Sequence, residues 1–326
     1  MRKIVRHVLN LRLEETIAIL FFLPMVYLTT KAYFYFLSIE KMSRRILGDM
    51  HRIWITVGVF LIFLIIIKLK PNWRFIRDWL PFGFCIAIYT NLHDTIHFAN
   101  QADVQHWLIQ IDQWLFGVQP CVWAEQFINP TLTDIFIAAY ANYFALNICV
   151  AVVLYFQKRY PEFRYTMITT IICYYIGYFV FIIFPAAPPR IVLKPLFTVS
   201  LHGHVLEPIK HAIEVSAQDS RGAFPSLHCA VSFVSMFFGW RYLRWMFWVM
   251  IPMVIMLVLS TIYLRHHYVI DLIAGLFLAI FAFWIGPKLE DGWSGLRNKY
   301  LLPDNLKGQK FDNEIGKDNR FWVFDD

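Results

Sequence analysis

Long, nearly unbroken apolar blocks run through this sequence and limit what it can fold into. Residues 53–67 read IWITVGVFLIFLIII, residues 165–184 read YTMITTIICYYIGYFVFIIF, and residues 245–264 read WMFWVMIPMVIMLVLSTIYL. A helix needs roughly 20 mostly apolar residues to cross the hydrocarbon of a bilayer, where each backbone polar group must be paired within the segment. A soluble core has no need of blocks this long. They leave the chain 58% hydrophobic and only 16% charged, against about a quarter charged in soluble domains. The expected fold class is all-α, a polytopic membrane helical bundle of about eight transmembrane helices with a six-helix core.

Eight segments carry the pattern: 16–38, 53–69, 79–98, 132–156, 165–184, 223–243, 245–264 and 267–286. The first holds Lys31, and the third ends in Asn91, His93, Asp94 and His97. Between the third and fourth, Val104, Trp107, Leu108, Ile111 and Leu115 recur at helical spacing. This predicts a helix lying flat at the interface. The chain divides into an N-terminal transmembrane region over 1–100, a second membrane region over 101–290 and a polar C-terminal tail over 291–326.

The net charge is +7, but Lys and Arg cluster in short segments between apolar blocks, so nucleic acid is not an expected partner. Basic loops stay in the cytoplasm. Arg2, Lys3, Arg6 and Arg12 precede the first span, and Lys68, Lys70, Arg74 and Arg77 lie between the second and third. Lys158, Arg159 and Arg164, then Arg241 and Arg244, then Lys288 and Arg297 fall on the same side when eight spans are counted. Residues 99–131 hold no Lys or Arg, which fits the opposite face. Lys41, Arg44, Arg45 and Arg52 break this pattern, so either the first two spans are miscounted or that segment is no simple loop. The N-terminal MRKIVRHVLNLRLEE reads as the flank of a first helix. The five cysteines lack the spacing of a zinc site or a disulfide framework.

Three short segments carry the chemistry, and all three fall on the non-cytoplasmic side: FPAAPPRIVLK (184–194), RGAFPSLHCA (221–230) and RHHYVIDLIAG (265–275). His228 and His267 are 39 residues apart, one span across and one back, so counting alone returns both to one face. His267 and Asp271 are four apart at a helix start and share a side of it. A carboxylate there accepts a proton from one imidazole nitrogen and leaves the other free to attack. Pro225 suits a first helical turn, and amides around Ser226–His228 present the positive end of a helix dipole to an anion. Arg190 and Arg221 supply planar cationic donors, and His228 can protonate a leaving alcohol. Taken singly, each has a plainer reading as a headgroup contact, a packing residue or an anionic-lipid contact. Two His, one Asp and two Arg at one end favour a site, because ionisable residues in or near spans are costly.

PSLH, preceded by PAAPPR and followed 39 residues later by HxxxD, resembles the type 2 phosphatidic acid phosphatase superfamily. FPSLH with HHYxxDL resembles more narrowly its inositol phosphorylceramide synthase branch and the bacterial relatives of that branch, over about 110–290 and including IDQWLFG. That resemblance makes 101–290 the catalytic domain and implies double displacement without metal or other cofactor. His267 would form a phosphohistidine, oriented by Asp271. His228 would act as acid and then base, and Arg190, Arg221 and Ser226 would hold phosphoryl oxygens. The implied partners are a lipid phosphate or phospholipid donor and inositol or another alcohol acceptor. Where the broad family carries a Lys and an Arg, this chain has Ile183 and Thr261, for which Lys194 and Arg265 could substitute. The missing cations point to the transferase-like branch. The alternative within the superfamily is a lipid phosphate phosphatase, with water as acceptor.

Two other classes compete. His93 and His97 flank Asp94 at HxxxH spacing, which suits a metal, but no HExxH accompanies them and one helix supplies too few ligands. The expectation is that His93, Asp94 and His97 line a polar cavity or shape an acceptor site. His202 and His204 add to the histidine-rich impression. A transporter could use Asn91, Asp94, Asn142 and Asn147 as a polar path, but matching Gly/Pro-interrupted spans are missing.

Overall fold

The computed structural model describes residues 8–38, 44–69, 73–90, 92–216 and 220–301. Helices carry most of them: α1 Leu13–Ser38, α2 Arg44–Leu69, α3 Arg74–Thr90, α4 Leu92–Ala99, α5 Gln105–Phe116 and α6 Pro130–Ala141. They continue with α7 Cys149–Phe156, α8 Tyr160–Ile183, α9 Leu227–Tyr242, α10 Arg244–Tyr263 and α11 Val269–Leu301. Shorter helical pieces such as Pro120–Trp123, Tyr143–Leu146 and Pro189–Val192 fill the connections. Among the described residues there is no strand, only an isolated bridge between Ala186 and Gly222. The all-helical membrane class expected from the apolar blocks is the one observed.

Among the described residues, four helices are long and apolar enough to cross a bilayer: α1 over Leu13–Tyr35, α8, α10 and α11. A fifth forms if Pro130–Leu146 and α7, bent by 42° at their break, make one span. The remaining expected spans are helical but shorter. In α2 the apolar part is Trp54–Leu69, α3 has 17 residues and α9 has 16.

Three segments depart from the simple reading. The block 132–156, expected as one helix, is interrupted around Asn142 and Asn147. Asparagine is a weak helix former, and the Asn147 side-chain amide donates to the Tyr174 hydroxyl at 2.9 Å. Arg44, Arg45 and Arg52, which broke the charge pattern, lie on α2 from its first residue, so that segment is no simple loop. Finally, α11 passes the expected tail boundary at 291 and continues to Leu301, with 302–326 outside the described residues.

At the centre is α8, whose Tyr174, Tyr175, Tyr178 and Phe181 are buried and which packs against α3, α7, α9 and α11. α9 and α11 approach closely where Gly275 meets the start of α9. A Cβ at that glycine would lie 2.6 Å from the Ser226 carbonyl oxygen, so any side chain would push the two helices apart.

The far ends of α8 and α11 meet α1 and α3 in a buried ion-pair network. Arg77 grips Glu15 with two bonds of 2.6 and 2.8 Å, Arg12 pairs with Asp78, and Arg164 reaches Glu14 at 3.1 Å and Glu290 at 3.0 Å. Arg12, Arg77 and Arg164, read from sequence as topogenic loop charges, are thus buried and paired.

Candidate active site

Backbone hydrogen bonds stitch the three chemistry-bearing segments together at the other end of the bundle. Ala186 N–H donates to Arg221 C=O at 2.9 Å, and Ala223 N–H donates back to Ala186 C=O at 3.0 Å. Arg190 N–H donates to Arg265 C=O at 2.9 Å, and Ser226 N–H to Asp271 C=O at 3.0 Å. Ser226 is the N-cap of α9, its hydroxyl accepting from the Cys229 amide. These links fix where each side chain starts before any side-chain contact is made.

His267 leaves the turn between α10 and α11. Arg265 turns the chain there with a left-handed φ of 63°, uncommon for a residue with a side chain. Its guanidinium is anchored on Glu125 and the Val199 carbonyl, both at 2.6 Å, and lies over the Phe197 ring.

The proton positions follow from the partners. His267 Nδ1 is 2.9 Å from the Ala223 carbonyl oxygen and 3.3 Å from Asp271 Oδ2. Both are acceptors, so Nδ1 carries the proton and Nε2 keeps its lone pair. That Nε2 faces Nδ1 of His228 at 3.2 Å. With His228 donating from Nδ1, its own Nε2 accepts from the Tyr140 hydroxyl at 2.8 Å. Burial in low dielectric pushes the His267 pKa down to about 3, the Ala223 carbonyl opposing and the Arg190 charge adding to the fall. His266 is likewise held well below the usual histidine range, by burial first and then by Arg190. His267 is therefore neutral at pH 7 and has a lone pair to offer.

Asp271 is fully buried, and its Oδ2 also accepts from the Tyr268 amide at 2.9 Å. The carboxylate of Asp112, on α5, accepts from the amides of Val269 at 2.8 Å and Ile270 at 3.0 Å, capping α11 from outside its own chain segment. Arg190 donates from Nη1 to His266 Nδ1 at 2.8 Å, and the His266 ring stacks on Tyr140 with centroids 4.5 Å apart.

The structure thus brings His228, His267, Asp271 and the cap Ser226 together, with Arg190 joined to them through His266 and Tyr140. The other two expected cations point elsewhere. Arg221 is held by Asp103, by the Asn100 carbonyl at 2.8 Å and by His97 Nδ1 at 3.3 Å. Lys194 is exposed on a short 3-10 turn. The side chains of His93 and Asp94 lie outside the described residues. Among the described residues no three His, Cys, Asp or Glu side chains form a group able to hold a metal ion.

Three residues of the site escaped the sequence reading. Tyr140 was hidden in an apolar block where an aromatic reads as packing. His266 stood beside the more telling His267. Asp112 was visible as the one charge on α5, one turn after Leu108 on its buried face, but its partners are 157 and 158 residues away.

An all-helical fold with four helices long and apolar enough to cross a bilayer, and a histidine held by a carboxylate beside a second histidine, defines an integral membrane protein with a candidate active site. Residues 106–285, more than half of the chain, match the model of the PAP2 superfamily, and the protein belongs to that superfamily. A PA-phosphatase related-family protein of Dictyostelium discoideum is 32% identical over 119 residues, 35% of this chain. The match spans only 21% of that relative's length. No solved structure matches.

Proposed function

We propose that this protein moves a phosphoryl group or phospho-headgroup from a membrane lipid to an alcohol, through a phosphohistidine on His267. Superfamily membership supports a lipid phosphatase or phosphotransferase type. The observation that carries the finer reading is the single lone pair at His267 Nε2, opposed by His228 Nδ1 at 3.2 Å while Nδ1 is fixed from behind by Ala223 and Asp271.

In the first step the donor's phosphoryl group takes the place of the imidazole–imidazole hydrogen bond. His267 Nε2 attacks phosphorus, the bond from phosphorus to the ester oxygen breaks, and that oxygen takes the Nδ1 proton of a His228 that the bound phosphate anion holds as imidazolium, leaving it a neutral imidazole whose Nε2–H faces the Tyr140 oxygen. Positive charge arising on His267 is stabilised by Asp271. In the second step the acceptor hydroxyl returns a proton to His228 and attacks phosphorus, and the phosphorus–nitrogen bond breaks. Arg190 and the positive end of α9, capped by Ser226, face the phosphoryl oxygens, stabilising charge by position alone. Arg221 braces the loop that carries Ala223.

Ile183 and Thr261 stand where the broad superfamily carries cations, and Arg265 is occupied by Glu125. This favours an alcohol such as inositol over water as acceptor. The basic-residue count favours a site on the non-cytoplasmic face.

The test uses purified protein without added metal, supplied with labelled phosphatidate or phospholipids, with and without inositol. Product from wild type and none from His267→Ala supports the reading, as does an acid-labile, alkali-stable phosphoenzyme formed only with His267 present. Undiminished turnover by a folded His267→Ala protein overturns it. The labelled product, free phosphate or phosphoinositol, decides the acceptor.

A further inference from the structure

An apolar groove of about 640 Å³ opens among residues of α5, α6, α10 and the start of α11. Phe116, at the end of α5, lines it with Trp123 and Phe127 on one side. Leu132 and Phe136 of α6, Leu259 and Tyr263 of α10 and Val269 of α11 also line it. We propose that this groove receives an acyl chain of the donor lipid, a proposal that rests on the lipid phosphotransfer reading above.

The lining selects hydrocarbon. None of its residues is ionisable at neutral pH, and its single hydroxyl, on Tyr263, already lies 2.9 Å from the Thr133 hydroxyl. Apart from the Trp123 indole N–H, a headgroup finds no free side-chain partner there. The size is that of a site for one ligand, within the usual range of about 300–1,000 Å³.

Position selects the substrate's own chain over other hydrocarbon. Phe136 is one helical turn before Tyr140, whose hydroxyl bonds His228, and its ring packs on Tyr263 with centroids 4.6 Å apart. Val269 follows His267 by two residues, with its amide held by Asp112. The groove and the histidines therefore share walls, and a molecule carrying both a hydrocarbon tail and a phosphoryl group fits the pair. Of the lining residues, Phe116, Trp123 and Phe127 are exposed, an aromatic fringe of the kind found at the edge of a bilayer. A chain entering from that side never leaves hydrocarbon.

The experiment places the full-length protein in phosphatidylcholine nanodiscs with phosphatidate bearing a photoactivatable diazirine in one acyl chain. Crosslinks are expected within 116–136 and 259–269, suppressed by excess phosphatidate and not by added phosphatidylcholine, in wild type and His267→Ala alike. Crosslinks spread over α1 and α2 without such suppression overturn the groove. Leu132→Trp and Leu259→Trp, at partly exposed wall positions, provide a second readout. The ratio of kcat/KM for dioleoyl phosphatidate to that for dihexanoyl phosphatidate is expected to fall on the order of tenfold, and an unchanged ratio overturns the groove. Suppressible crosslinks with no turnover of any donor would overturn the phosphotransfer reading and leave the groove standing.

Discussion

The hydroxyl oxygen of Tyr140 stands 2.8 Å from Nε2 of His228, 88 residues away in sequence, while its ring stacks on His266. That one side chain sets the tautomer of His228 through the hydroxyl, so that the proton lies on the nitrogen facing His267. Through its ring it backs the imidazole that accepts from Arg190. Tyr140→Phe keeps the ring and removes the donor. Its kcat is expected to fall about 10–100-fold with KM little changed, since the loss touches proton transfer and not donor binding. The acid limb of the pH–rate profile is expected to move as well. A lower thermal stability with an unmoved pH profile would assign Tyr140 to packing alone.

Asp112 holds the first amides of α11 from a different helix, and His267 sits just before that helix and Asp271 in its first turn. Asp112→Asn replaces one acceptor oxygen by an N–H₂ that faces a backbone N–H. The expected cost is about 1–2 kcal/mol of stability, together with a drop in kcat exceeding that of an equally destabilising change in α2. Differential scanning fluorimetry beside steady-state assays checks both. Unaltered kcat in a destabilised protein would limit Asp112 to holding the helix.

What could be read from the sequence and what could not divide along physical lines. Hydrocarbon leaves a chain few choices, so apolar blocks announced helices, and two crossings returned His228 and His267 to one place, where they now lie 3.2 Å apart. The i,i+4 relation of His267 and Asp271 was equally local and equally legible. Pairings fixed only by tertiary structure were not. The pairing of Arg221 with Asp103, 118 residues away, left no spacing to recognise. Asn147 gave no sign of its bond to the Tyr174 hydroxyl, 27 residues away on another helix. Asp112 gave no sign of its partners because a cap supplied from 157 residues away leaves no spacing to recognise.

Stability should depend on pH through His267. In the unfolded chain its imidazole binds a proton near pH 6.5, whereas the fold holds that pKa down to about 3. Between those values the unfolded state binds the extra proton, so stability falls as pH drops, by at most about 1.4 kcal/mol per unit, and this contribution is flat above about 6.5. The apparent Tm in detergent is expected to decline from pH 6.5 to 4.5 more steeply for wild type than for His267→Asn, which has no proton to gain. Parallel curves for the two proteins would mean that His267 is not held neutral by its burial.

At the far end of the same helices, Glu15 and Arg77 form a two-bond ion pair with both side chains 0% exposed. An ion pair this deep is held as a unit, since removing one partner strands the other charge in a medium that cannot solvate it. Glu15→Gln or Arg77→Met alone is expected to cost about 3–5 kcal/mol, whereas Glu15→Leu combined with Arg77→Met recovers most of that loss. A double-mutant cycle on denaturant unfolding in detergent measures the coupling. Within α11, Asp271 and Glu290 are separated by roughly 28 Å of helix, with Glu290 in the network and Asp271 at the histidines. Turnover per folded molecule is therefore expected to survive in the double variant. A kcat that falls with the pair restored to apolar packing would instead reveal that the network steers the site along α11.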